Sequence, residues 1–232
     1  MKSLQLRVHL GLATILISSI FCAAAVAHGV ASKDQSFLLY NSGVQIGPFM
    51  YLGAKHMVTG YDHLLFLTGV IFFLFRLRDV ALYVTLFALG HSATLLLGVL
   101  GNLQANAHLV DAIIGLSVVY KAFENLDGFR TVFGVRPNVK AAVLIFGFFH
   151  GFGLATKLQD LGLAEDGLVT NLVSFNIGVE LGQFAALAMI LILVNTWRAS
   201  GSFWRHARVT NVALMVAGFL LMGYQLTGYF TT

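Results

Sequence analysis

The chain has 232 residues, of which 58% are hydrophobic and only 10% are charged, with a formal net charge of +4. A soluble domain carries about 25% charged residues, so this composition excludes a disordered chain, a nucleic-acid-binding module and an ordinary soluble enzyme. The long apolar runs instead predict an all-α fold, a polytopic membrane helix bundle with six transmembrane helices.

Residues 1–27 are predicted to be a cleaved secretory signal peptide. Lys2 and Arg7 precede a short apolar stretch, and Ala25-Val26-Ala27 fits the small-residue cleavage pattern. A retained anchor helix and a lipoprotein site at Cys22 are the alternatives. Cys22 is the only cysteine, so cleavage would leave neither a disulfide nor a thiolate ligand.

The mature chain is predicted to begin with an outer-face segment, residues 28–48, followed by the transmembrane domain, residues 49–232. Cleavage after residue 27 would make His28 the first residue. Its free amine and its imidazole are then a secondary candidate for binding a metal outside the membrane.

Six apolar segments are each long enough to cross ~30 Å of hydrocarbon as a helix. Pro48 and Pro137 lie just before the first and fourth segments, where a missing N–H costs little. The predicted spans are residues 50–75, 80–101, 109–126, 139–159, 168–196 and 207–229.

The charges between the spans predict the orientation. Arginines and lysines concentrate in 76–79, 130–140 and 198–208, whereas 102–108 and 160–167 contain none. Basic loops stay on the cytoplasmic side, so both ends of the mature chain are expected on the outer face. No internal repeat is evident in the sequence, although this topology permits a three-plus-three inverted arrangement.

Several ionisable residues lie inside the predicted spans, where they are costly unless they face the bundle interior. His63, His91, His150 and Glu180 fall about ten to thirteen residues into their helices, which predicts a similar mid-membrane depth. His56 precedes His63 by two helical turns and is expected on the same face, ~10 Å nearer the outside.

Imidazoles and carboxylates without a thiol favour a borderline divalent cation, Ni²⁺, Cu²⁺, Co²⁺ or Zn²⁺, over Mg²⁺ and Ca²⁺. Asp62 neighbours His63 and is expected to point elsewhere on a regular helix, where it would orient another histidine or ligate from a different angle. The predicted metal ligands are His56, Asp62, His63, His91, His150 and Glu180. The secondary candidates are His28, Glu124, Asp111, Ser92, Asn176 and Gln183.

Other residues of the predicted spans have expected roles in helix capping, helix packing or solvent contact. Asn176, Glu180 and Gln183 are predicted to share one helix face. Asp111 has helix capping as its alternative, and Lys157 is expected to extend to the water. Gly147, Gly151 and Gly153 near His150, with Gly178 and Gly182 near Glu180, predict close helix packing.

The chain resembles the HupE/UreJ family of bacterial membrane proteins from about His28 to Tyr229. The most specific element is His-x5-Asp-His, formed by His56, Asp62 and His63. The segments His91-Ser92, Phe149-His150-Gly151 and 176–183 also resemble family blocks. The segment 151–154 lacks a second histidine that the family often has there, so the identity of the metal stays open.

The resemblance implies uptake of nickel for hydrogenase or urease in a bacterial inner membrane, where the predicted outer face is periplasmic, and a role in transport for His56, Asp62 and His63. The leading hypothesis is therefore a permease for a nickel-like divalent cation. The cation would meet an acidic outer rim (Asp34, Asp160, Glu165 and Asp166), then the histidines, and leave past Glu124. No P-loop is present, so a gradient or a partner would supply the energy.

Two alternatives stay open. A zinc-dependent intramembrane hydrolase would use the histidines and Ser92 with an activated water. A metal-delivery or assembly factor for an exported metalloprotein would depend more on the outer histidines. The expected partners are the metal ion and the lipid bilayer, with a second copy of the chain or a metalloenzyme-maturation protein as open possibilities and no nucleic acid.

Overall fold

The computed structural model describes residues 43–160 and 166–231. The predicted signal peptide and His28 lie outside these residues. The described helices are α1 (Ile46–Thr59), α2 (Tyr61–Ile71), α3 (Leu77–Leu100), α4 (Ala107–Asn125), α5 (Gly128–Phe133), α6 (Val139–Asp160), α7 (Leu168–Ala199) and α8 (Phe203–Thr231).

Four of the described helices, α3, α6, α7 and α8, are long and apolar enough to cross a membrane. They correspond to four of the six predicted spans. The third predicted span is α4, which has 19 residues and contains Asp111, Lys121 and Glu124. These charges lower its hydropathy although the helix is long enough to span.

The first predicted span, 50–75, is not one helix. α1 ends at Thr59, Gly60 has an extended backbone with φ −71° and ψ 99°, and α2 begins at Tyr61. A Cβ atom on Gly60 would lie 2.8 Å from Nδ1 of His63 and 3.0 Å from the carbonyl oxygen of His56. The small residue therefore lets the chain turn between two histidines, and the 3.6-residue period does not run through this span.

Three pairs of helices pack most closely: α1 with α7, α3 with α6, and α4 with α8. Each contact depends on glycine. A Cβ on Gly178 of α7 would collide with the backbone carbonyl of Met50 in α1, and a Cβ on Gly147 of α6 would lie 2.5 Å from the carbonyl oxygen of Phe87 in α3. In lipid, where apolar burial drives helix association little, such close backbone approach is a main source of packing energy.

Hydrogen bonds define two ends of the bundle. At the end that we call the Gly43 end, the Asn171 side chain accepts from the backbone N–H of Gln45 (2.7 Å) and donates to the carbonyl of Gly43 (2.9 Å). At the opposite Arg198 end, the guanidinium of Arg198 donates to the carbonyl of Ile71 (2.7 Å), at the end of α2. These contacts anchor α7 to both parts of the broken first helix.

Candidate metal site

Four histidine rings from four helices meet in the centre of the bundle. His63 of α2 has its ring centroid 5.1 Å from that of His56 in α1, 5.9 Å from His91 in α3 and 5.0 Å from His150 in α6. His63, His91 and His150 are each at most 2% exposed. The structure thus brings four of the six predicted ligands together, and we call these four residues the histidine cluster.

The expected separation of ~10 Å between His56 and His63 is wrong. It assumed one continuous helix, but the break at Gly60 folds the two rings into an edge contact. His56 therefore belongs to the cluster itself and is not a separate, more distant ligand.

The side chain of Asp62 contacts the next residue in the chain, His63. Its Oδ1 accepts a hydrogen bond from the backbone N–H of His63 (2.9 Å) and lies 3.0 Å from Nδ1 of the same residue. Asp62 was expected to point away from His63, but both residues stand in the first turn after the Gly60 break, where this contact is possible. The carboxylate holds the His63 ring in place, in the manner of a carboxylate that supports a metal-binding histidine.

The hydrogen bonds also determine which histidine ring nitrogens have a lone pair free to bind a ligand. Nδ1 of His150 lies 2.7 Å from the carbonyl oxygen of Phe146, and a carbonyl only accepts, so this Nδ1 carries the proton. An ionised Asp62 also only accepts hydrogen bonds, so Nδ1 of His63 carries a proton as well. In a neutral imidazole the other nitrogen, Nε2, then presents a lone pair.

Those lone pairs have no partner within the described residues. Nε2 of His56, His63, His91 and His150 and Nδ1 of His91 are buried without a hydrogen bond. Phe66 and Phe87 line the same space, with Phe87 5.0 Å from the His150 ring. Buried polar atoms without partners are rare because each costs about 1–3 kcal/mol, so this concentration indicates a place where a ligand completes the bonding.

The donor set fits a borderline transition-metal ion, which neutral imidazole binds well. The part of the chain that the structure describes contains no group of three or more His, Cys, Asp or Glu side chains placed to hold a metal ion. The His63 ring contacts each of the other three rings, and the four rings come from four separate helices.

Glu180 is not brought to the cluster. It lies exposed on α7, whereas Asn176 and Gln183 are buried and face α3. Ser92 donates to Oδ1 of Asn176 (3.2 Å), and Nε2 of Gln183 lies 3.4 Å from the carbonyl of Val84. The predicted common helix face is therefore correct for Asn176 and Gln183 but wrong for Glu180. Ser92 contributes to the contact between α3 and α7.

Asp111 has a specific partner that the sequence did not suggest. Nζ of Lys157 lies 2.9 Å and 2.8 Å from its two carboxylate oxygens, and Gln225 of α8 donates to the same group (3.2 Å). The prediction that Lys157 extends to the water is wrong, because the buried carboxylate offers it a nearer partner. Asn106, which accepts from the N–H of Leu109, caps α4, so Asp111 does not.

Glu124 lies at the Arg198 end beside a cavity of about 290 Å³. Lys121 bonds both Glu124 and Asn125 (2.6 Å to the latter), and Asn125 donates to Asn211 of α8 (2.8 Å). Tyr83 of α3 also lines this cavity. Sequence reasoning missed Lys121, Asn125 and Asn211. The spacing of Lys121 and Asn125, one helical turn apart inside a span, was the available signal.

The predicted acidic rim is partly described. Asp160 ends α6 and is exposed, and Asp166 precedes α7 with Oδ2 3.7 Å from the position of a Cβ on Gly43. Asp34 and Glu165 lie outside the described residues. Two rim carboxylates thus belong to segments that end or begin helices at the Gly43 end.

Comparison with known proteins gives one family. The family model described as "HupE / UreJ protein" matches residues 32–232. No curated protein and no solved structure matches the chain significantly.

Proposed function

This chain belongs to the HupE/UreJ family, and on that premise we propose that it is an integral membrane permease for a nickel-like divalent transition-metal cation. The observation that carries the proposal is the histidine cluster, in which four imidazoles from four helices have buried ring nitrogens that no described residue hydrogen-bonds. Imidazole suits Ni²⁺, Co²⁺, Cu²⁺ and Zn²⁺.

The cluster suits a cargo ion. A permeating ion has to bind well enough to enter and weakly enough to leave. Here the nitrogens stand close but form no closed coordination group among the described side chains, and the break at Gly60 separates two of the contributing helices. Discontinuous helices of this kind often form the ion sites of transporters.

We propose a path between the two ends of the bundle. The cation approaches the carboxylates of Asp160 and Asp166 at the Gly43 end, reaches the histidine cluster, and leaves through the cavity beside Glu124 at the Arg198 end. In this arrangement α1 and α2 together form one broken span and α4 another, which gives six spans in the bacterial inner membrane. The Gly43 end then faces the periplasm.

Uptake of radiolabelled Ni²⁺ by cells that produce the chain tests this function. His63→Ala removes the central ring of the cluster, and we expect uptake to fall to the level of cells without the protein. His206→Ala is the matched control, because among the contacts described this exposed ring bonds only the backbone carbonyl of Ser202, just before α8 (3.0 Å). We expect the control to keep full uptake.

Unchanged uptake in the His63→Ala variant, with the protein present in the membrane at the normal level, would contradict the permease. Competition by Co²⁺, Cu²⁺ and Zn²⁺, with metal analysis of the purified protein, identifies the preferred cation.

A further inference from the structure

The contacts between α1 and α7 repeat those between α6 and α3. A Cβ on Gly53 of α1 would collide with the carbonyl oxygen of Phe175 in α7. In the other pair, a Cβ on Gly147 of α6 would lie 2.5 Å from the carbonyl oxygen of Phe87 in α3. The same two residue types meet through the same atoms, so α1 corresponds to α6 and α7 to α3.

A second contact gives the same correspondence and register. Gly178, three residues after Phe175, approaches the carbonyl of Met50. Gly90, three residues after Phe87, approaches the carbonyl oxygen of Leu144, 2.5 Å from a Cβ position. Met50 and Leu144 each precede the glycine of their own helix, Gly53 or Gly147, by three residues.

The third close pair is α4 with α8, and in this correspondence the two helices are counterparts of each other. A Cβ on Gly115 of α4 would lie 2.7 Å from the backbone nitrogen of Met222 in α8. A Cβ on Gly218 of α8 would lie 2.8 Å from the backbone nitrogen of Val119 in α4. Gly115 precedes Val119, and Gly218 precedes Met222, by four residues, so exchanging α4 with α8 reproduces the contact.

The two halves run in opposite directions. α1 begins at the Gly43 end, whereas its counterpart α6 begins beside Val139, at the cavity of the Arg198 end. The same register makes His56 and His150 counterparts, three residues after Gly53 and Gly147, and both belong to the histidine cluster. The cluster therefore lies where the two halves meet.

Equivalent positions at the two ends of the bundle differ in whether they line a cavity. Tyr83 and Val139 line the cavity at the Arg198 end. Their counterparts by this register are Asn171 and Gln45, and here Asn171 is only 5% exposed and bonds the backbone N–H of Gln45. Among the described residues, the Arg198 end thus has a cavity at the positions where the equivalent residues of the Gly43 end are joined by a hydrogen bond, as expected for one state of a protein whose halves exchange conformations.

We infer that α1–α4 and α6–α8 form an inverted repeat, and that the metal pathway has a second doorway at the Gly43 end, around Gln45 and Asn171. This doorway opens when the halves exchange conformations and the cavity beside Tyr83 and Val139 closes. The inference rests on the proposed function, because it assigns the route by which the cation reaches the histidine cluster.

Single-cysteine variants test the doorway. Cys22 is the only natural cysteine, so Cys22→Ser gives a background without thiols. Gln45→Cys and Val139→Cys then mark the two doorways, and the bond at Gln45 uses its backbone N–H and survives the change. Membrane vesicles of both orientations are treated with a membrane-impermeant maleimide, with and without saturating Ni²⁺.

We expect Ni²⁺ to change the two labelling rates by about threefold or more, in opposite directions, because a ligand that prefers one state shifts the population of both. Phe184→Cys, on the exposed face of α7, is the control and should show no dependence on Ni²⁺. Uptake of Ni²⁺ is measured for every variant.

Intact uptake with rates that stay constant or move together overturns the doorway and leaves the proposed function standing. Absence of uptake in the unmodified chain overturns the proposed function, and the doorway with it. Opposite changes in two variants that still transport Ni²⁺ support both.

Discussion

At the residue scale, the pair Asp62 and His63 shows how a backbone break creates chemistry. On a continuous helix, adjacent side chains diverge by about 100°. After Gly60, the carboxylate of Asp62 instead contacts both the N–H and Nδ1 of His63. The carboxylate thereby fixes the ring with its proton on Nδ1 and leaves the lone pair on the buried Nε2.

Asp62→Asn should therefore weaken Ni²⁺ binding by about 10- to 100-fold, the usual cost of losing a carboxylate that supports a metal-binding histidine. The amide keeps the size of the side chain, so the fold should persist. Isothermal titration of the purified protein with Ni²⁺ measures the change. Asp79→Asn, in the first turn of α3, is the control; equal losses in the two variants would contradict a specific role for Asp62.

The ion pair of Asp111 and Lys157 joins α4 to α6 inside the bundle. The side chain of Asp111 is 6% exposed and that of Lys157 is 25% exposed. Removing one member of a buried pair leaves an uncompensated charge in a medium of low dielectric constant, which is costly. The pair therefore contributes to stability mainly through what its loss would leave behind.

Lys157→Met should destabilise the protein by about 3 kcal/mol, the lower end of the range for a broken buried pair, because Lys157 is a quarter exposed. The double variant Lys157→Met with Asp111→Leu should regain part of this loss, since no charge is left unpaired. Thermal unfolding in detergent compares the two. A double variant less stable than the single one would show that the carboxylate stabilises the fold by other contacts.

At the scale of elements, the break between α1 and α2 is the feature that assembles the site. Gly60 provides a position without a side chain, and its backbone angles lie in a region that other residues also adopt. Glycine is therefore required for steric reasons, because a Cβ atom there would crowd the side chains of Asp62 and His63 and the carbonyl oxygen of His56.

Gly60→Ala should reduce Ni²⁺ uptake by about tenfold or more, because the added methyl group displaces the ring that Asp62 supports. Its Cβ would lie 2.8 Å from Nδ1 of His63 and 3.1 Å from Oδ1 of Asp62. Gly47→Ala in α1 is the matched control, since no side chain or neighbouring backbone of the described residues lies within 4 Å of that Cβ position. Full uptake in the Gly60→Ala variant would show that Ni²⁺ transport does not need a glycine at the helix break.

At the scale of the whole molecule, close contacts pair helices that are distant in sequence. α1 packs on α7, α3 on α6 and α4 on α8, so the closest helix packing joins the two halves. Glycines allow each of these approaches. Three rings of the histidine cluster belong to α1–α4, and the ring of His150 in α6 joins them from the other half.

The proposed topology predicts that residues 102–106 face the periplasm and residues 134–138 the cytoplasm. Leu103 and Val135 are similarly exposed, at 52% and 53%, which makes them a matched pair. In the Cys22→Ser background, an impermeant maleimide should label Leu103→Cys in intact cells and Val135→Cys only after permeabilisation. The reverse pattern would invert the orientation.

The sequence by itself determined the class of the molecule and the residue types of the site. Apolar runs identified the helices, because the backbone in lipid has to bond within itself. Histidines at similar depth identified candidate ligands, because charge is costly in hydrocarbon. The positions of His63, His91 and His150 followed from counting residues along helices, which is a local calculation.

Only the tertiary structure decided which of these residues meet. The break at Gly60, the exposure of Glu180 and the pairing of Asp111 with Lys157 depend on contacts between segments far apart in the chain. The correspondence between the halves was equally hidden, because it resides in backbone contacts at glycines and preserves few side chains. Periodicity gives the face and depth of a residue, but only packing gives its neighbour.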